Sequence, residues 1–145
     1  MRKLAQLMFG LIVFLLAAPV MTQEYYTEGT ISRVILLKIK PGRFNAFMED
    51  LRDHVKPVWE EEKTQGLIMD YKIYLNSTTD TPQDWDVAVA LQYKNYAALD
   101  GLAAKLQDLT LKHYGSKAAR QGALEKRVEN TEVAASRLMR EITLK

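Results

Sequence analysis

The chain predicts an α+β domain, a four-stranded antiparallel sheet with its helices packed on one side. Three observations carry that prediction. Residues 31–39 are apolar at most positions, with Val34, Ile35, Leu36 and Leu37 consecutive, as in a central strand covered on both faces. The apolar spacing then changes to three and four residues at Phe44, Phe47, Leu51, Val55 and Val58, which share one face of a helix. Finally, residues 67–76 and 84–93 each alternate, and the stretch 77–83 between them is turn chemistry, so the pair reads as a hairpin.

Taken in order, residues 23–30 are a polar lead-in that reads as loop, and the domain proper runs over 31–145. Pro41-Gly42 ends the first strand, because proline offers no ladder N–H and glycine permits the turn. Pro57 lies inside the helical pattern and is expected to kink or split it after His54 or Val55. Gly66 suits the left-handed position that closes the helix. The adjacent carboxylates Glu60, Glu61 and Glu62 point in three directions on a helix, which suits a solvated helix end rather than a metal site.

In the hairpin, Leu67, Met69, Tyr71, Ile73 and Leu75 take one face, and Ile68, Asp70, Lys72, Tyr74 and Asn76 the other. One register opposes Lys72 to Asp86 as a cross-strand ion pair. Asn95 is a natural cap for a second helix with the stripe Tyr96, Leu99, Leu102, Ala103, Leu106 and Leu109, ending at Tyr114-Gly115. Ser116 caps a further, more polar helix over 117–131, and 136–144 returns to strand with Leu138, Ile142 and Leu144 on one face.

Two βαβ halves joined by a hairpin make the ferredoxin-like βαββαβ arrangement, here with an extra C-terminal helix before the last strand. The helix-free face then holds Ile68, Tyr74, Ala88 and Ala90 beside apolar residues of the first strand. Such a face calls for a partner sheet, most simply a second copy by two-fold symmetry, so a homodimer is expected.

Residues 1–22 are set apart from the domain. Arg2 and Lys3 precede an apolar run from Leu4 to Val20, and polar residues begin at Thr22-Gln23-Glu24, the layout of a secretory signal peptide. Its uncharged stretch is also long enough to span a bilayer, so an uncleaved N-terminal anchor is the second reading and the only one that ties the protein to a membrane. Both place the domain outside the cytoplasm, in the periplasm or secreted. Arg2 and Lys3 account for the excess of 20 Lys and Arg over 18 Asp and Glu, so the remaining chain is balanced and carries no argument for a nucleic-acid partner. There is no cysteine, hence no disulfide and no thiol nucleophile.

The strand RVILLKIKPGRFNAFMEDL, the helix segment DHVKPVW, the hairpin entered at Gly66, and the strand DWDVAVALQYKN running into a helix at Tyr96 resemble the dimeric α/β-barrel superfamily. That group includes antibiotic-biosynthesis-type monooxygenases, EthD-like, stress-responsive A/B-barrel and NIPSNAP-like proteins. The resemblance implies a homodimer whose sheets pair into a barrel, with a small pocket in each subunit between helices and sheet. Its haem-degrading members use an Asn on the first strand, a Trp on the third and a His on the second helix. Trp85 is comparable with that Trp, but residues 31–39 hold no Asn and His113 lies at the far end of its helix, so that activity is not carried over.

The chain has only two histidines, no HExxH and no glycine-rich phosphate loop, so no metal site and no cofactor are expected. His54 lies at the edge of the buried stripe before Pro57, with Asp50 one turn earlier to orient its ring, and is the candidate catalytic base. Trp59, Tyr71, Trp85, Tyr93 and Tyr96 are the candidate ligand-binding residues, since aromatics with polar tips line small-molecule pockets. Each also has a purely structural reading as boundary or core. Three functions stay open: an exported protein binding a small apolar or aromatic molecule, a cofactor-independent monooxygenase-like enzyme based on His54, and a structural or interaction module without a ligand.

Overall fold

The computed structural model describes residues 25–78 and 80–145; the leader expected over 1–22 lies outside them. Eight elements follow: β1 (Tyr26–Ile39), α1 (Phe44–Asp50), α2 (Lys56–Thr64), β2 (Asp70–Leu75), β3 (Val87–Tyr93), α3 (Leu102–Tyr114), α4 (Lys117–Asn130) and β4 (Thr131–Leu144). The strands form one antiparallel sheet in the order β2-β3-β1-β4, the ferredoxin-like order, with the extra helix α4 before the last strand. Among the described residues, no helix is long and apolar enough to cross a membrane.

Strand register decides which side chains meet the helices. Ile31, Arg33, Ile35 and Leu37 of β1 stand opposite Tyr93, Leu91, Val89 and Val87 of β3, and this set forms the helix-covered face. Ile31, Val87, Val89, Leu91 and Tyr93 join Phe47, Leu51, Ile68 and Leu102 in the core. The opposite face carries the rows Tyr74–Ala88–Leu36–Ala135 and Lys72–Ala90–Val34–Arg137. Its centre is apolar as expected, although Ile68 is not part of it. Ile68 precedes β2 and turns into the core, leaving Met69 exposed, because alternation holds only once the strand has begun at Asp70.

Several boundaries differ from the expectation, each for a tertiary reason. The lead-in is not loop: β1 begins at Tyr26 because β4 also begins early, at Thr131, and runs to Leu144, so that Tyr26, Thr27 and Glu28 pair with Leu144, Thr143 and Ile142. Thr27, Glu28 and Thr143 are exposed on this ribbon, and so are the apolar Ile142 and Leu144. The helix expected over 117–131 stops at Asn130, since Thr131 is already extended and opposes Ile39. Lys72 opposes Ala90 rather than Asp86, which lies beside Asn76 and accepts the Ile39 N–H on its carboxylate at 2.6 Å.

The helix around Pro57 is not broken but loosened. A π-helical turn, Leu51–Val55, sits between α1 and α2 and absorbs the missing N–H and the ring of Pro57. The helix expected from Tyr96 divides into a short 3-10 turn, Tyr96–Leu99, and α3, because Gly101 adopts φ +66° and re-aims the chain. Asn95 and Ser116 cap as expected, accepting the N–H of Ala98 and of Ala119, each at 3.1 Å.

Candidate functional site

A large opening lies on the helix-covered side, at the end of the sheet next to α4. It is a cavity of about 710 Å³, within the range usual for small-molecule sites (~300–1,000 Å³). Its floor is Ile35, Leu37, Val89 and Leu91 of the two central strands, with Val133 of β4 at the edge. Phe47, Leu51, Val55 and Trp59 form one wall. These four recur every fourth residue through α1, the π-helical turn and α2, so one helical stripe supplies the whole wall. Leu124, Arg127 and Val128 of α4 form the other wall, and Lys40, Thr131 and Glu132 close the end where β1 and β4 meet α4.

The cavity stays open because of how α4 is held. This helix contributes no buried residue, and its apolar side is short. It is tied down by polar contacts instead. Arg127 donates from Nε and Nη2 to the two carboxylate oxygens of Asp50 on α1, at 2.7 and 3.1 Å, and from Nη2 to the hydroxyl of Tyr114 at 3.2 Å. Burial opposes the charge on Arg127, and the paired Asp50 carboxylate and Tyr114 more than restore it, so the guanidinium stays protonated. Lys40 donates from Nζ to the carbonyl of Val128 at 2.9 Å and closes the last turn of α4.

His54 is elsewhere. It lies on the outer side of Arg127, in a separate depression with Glu49, Asp50, Asp53 and Tyr114, and it is exposed. Asp50 does not orient it, since both oxygens of that carboxylate are engaged by Arg127. The nearest partner is His113 of α3, with Nδ1 of one ring 3.3 Å from Nε2 of the other. The chain's only two histidines thus meet across 59 residues. Their ring centres are 5.6 Å apart, the separation of nitrogens aimed at one another, so the contact has the shape of an imidazole–imidazole hydrogen bond. Among the described residues, no group of three or more His, Asp or Glu is placed to hold a metal ion.

The five aromatics expected to line a pocket are dispersed. Trp59 alone lines the cavity. Tyr71 packs on Trp59 at 5.0 Å between ring centres, but its hydroxyl turns away to donate to Glu60 at 2.6 Å. Partial burial and that carboxylate push the Tyr71 phenol up to about 12. Tyr93 is fully packed in the core, and burial raises its phenol as well. Trp85 stands before β3, where its carbonyl accepts from Asn76 at 2.8 Å. Tyr96 lies beneath Arg140, whose guanidinium carbon is 4.5 Å from the ring centre and which also pairs with Glu28.

Glu62 corrects the reading of residues 60–62 as a solvated helix end. It is 4% exposed, and burial without a cationic partner raises its carboxyl to about 7. Glu62 follows the buried Val58 by four residues, so helical spacing already placed it on the inner side. The tie between Asp50 and Arg127 had no such signal, because 77 residues separate its members.

No family model matches the chain, and no curated protein sequence matches it. Solved structures do. HapK from Hahella chejuensis superposes with a TM-score of 0.51 at 9% identity, over 77% of this chain and 91% of HapK. A NIPSNAP family protein from Agrobacterium tumefaciens gives 0.50 at 11% identity, over 81% of this chain and 88% of that protein. A dimeric protein of unknown function with a ferredoxin-like fold from Bacteroides fragilis gives 0.46 at 12% identity, over 82% of this chain and 100% of that one. At these identities the likeness to HapK and to the NIPSNAP family protein is one of fold, and the fold is the one the sequence pattern predicts.

Proposed function

We propose that the protein is an exported homodimer whose subunits each bind a small apolar molecule between sheet and helices. The observation that carries this reading is the cavity of about 710 Å³, walled by aliphatic and aromatic side chains of β1, β3, α1 and α2. Close packing is the rule in protein interiors, and a void of this size unfilled by the chain's own side chains is where a ligand fits. His54 lies outside the cavity, beyond Arg127, so the geometry favours binding over a reaction based on that histidine. Export rests on the apolar leader with its basic start.

The dimer rests on the helix-free face. Leu36, Ala88 and Ala135 form a continuous apolar row ending at Tyr74, which is 50% exposed, and Val34 and Ala90 add to it. Lys72 and Arg137 flank the apolar centre on opposite edges, with Asp70 and Glu141 near one end, so a charged rim borders an apolar centre.

Two measurements test the proposal. The mature protein is titrated with the neutral dye N-phenylnaphthylamine; fluorescence enhancement that is lost in Ile35→Phe, which fills the cavity floor, is the expected result. Silence of the dye with the folded protein removes the binding reading. Sedimentation analysis is expected to give a dimer that becomes a monomer in Ala90→Arg, and a monomeric parent protein overturns the assembly.

A further inference from the structure

We propose that the cavity takes an apolar carboxylic acid, its chain against the aliphatic walls and its carboxylate at Lys40 and Arg127. This deepens the reading of the cavity as a ligand site and rests on it. Among the described residues, Lys40 and Arg127 are the cations that line the cavity, and both meet it at the last turn of α4.

The donors there are only partly used. The ammonium of Lys40 gives one of its three N–H groups to Val128 and keeps two. The guanidinium of Arg127 spends Nε and Nη2 on Asp50 and Tyr114, and its Nη1 bonds to nothing among the described residues. Asp50 balances the charge of Arg127. Glu132 also lines the cavity, but among the described residues no ion pair joins it to Lys40, so the spare N–H groups of that ammonium stay available.

An apolar cleft with spare cationic donors at one end matches a ligand with an apolar body and an anionic head. A neutral alcohol of the same length fills the cleft but leaves those donors to water. A charge-assisted hydrogen bond at a partly exposed site is worth about tenfold in affinity.

The test is displacement of bound N-phenylnaphthylamine from the mature protein by decanoate and by decanol at neutral pH. Decanoate is expected to displace the dye at about tenfold lower concentration than decanol. In Lys40→Met the ratio of the two displacing concentrations is expected to fall to about one, and in Lys40→Arg the preference for the acid returns. Equal displacement by acid and alcohol in the parent protein overturns the proposal and leaves the cavity reading intact. A preference for the acid that survives in Lys40→Met overturns the assignment of its carboxylate to this end. Failure of the dye itself to bind overturns the cavity reading and the acid proposal together.

Discussion

The two halves of the helix-covered side share the same two central strands and are filled differently. Near Ile31 and Tyr93, which are 0% and 1% exposed, Leu102 of α3 and Ile68 of the segment before β2 pack into the core against the sheet. Near Leu37 and Val133 the covering element is α4, and a cavity of about 710 Å³ remains. The difference follows from how the cover is fastened. Where apolar side chains fasten a helix, they consume the volume beneath it. Where an ion pair and a terminal lysine fasten it, as Arg127 with Asp50 and Lys40 with Val128 fasten α4, the helix is fixed in place without being filled in.

The sharpest way to break that comparison is a pair of truncations. Tyr93→Ala empties the filled half and is expected to cost ~3–5 kcal/mol in urea unfolding. Leu124→Ala in the hollow half removes a side chain that already borders open space, and a loss below ~1 kcal/mol is expected. Similar losses at the two sites would erase the distinction.

Glu62 sharpens the comparison from the filled side. Its folded carboxyl is raised from 4.5 to about 7, so between these values the folded chain keeps a proton that the unfolded chain has lost. Stability therefore falls as pH rises through that window, by up to about 3 kcal/mol, and the full cost is present above it. Glu62→Gln is expected to remove this fall, giving a urea midpoint above that of the parent at pH above 7. A parent protein whose midpoint does not decline across the window would contradict the burial assigned to Glu62.

A smaller effect than those at Tyr93 and Glu62 is expected where α4 is fastened. Asp50→Asn weakens the pairing of Arg127, and a loss of ~1–2 kcal/mol is expected because the guanidinium still reaches water. Hydrogen exchange is the more telling measurement. Amide protection should drop in α4 and stay unchanged in α3, whereas a uniform drop would mean that α4 is not an independently fastened cover.

Much of the fold is legible in the sequence. Consecutive apolar residues at 34–37, the helical stripe from Phe44, and the alternation on either side of residues 77–83 defined the sheet and its first helix, because each depends on spacing within a short window. One wall of the cavity was legible for the same reason, as Phe47, Leu51 and Val55 belong to that stripe. The candidate ligand aromatics were not separable by this means: Trp59, Tyr71, Trp85, Tyr93 and Tyr96 look alike in sequence, and burial, strand register and a neighbouring Arg140 send them to different places. Glu62 lay in plain sight at helical spacing, hidden by two adjacent glutamates that do face water.

The amino-acid sequence by itself determined the order of strands and helices, the position of the turns and the apolar character of both sheet faces, since these are consequences of local period and of which residues water rejects. Only the tertiary structure decided that β1 and β4 extend into a ribbon, that Asp50 turns to Arg127 rather than to His54, and that a cavity remains under α4. Those outcomes depend on contacts between residues tens of positions apart, and the energy that selects them belongs to the assembled pair and to neither partner alone.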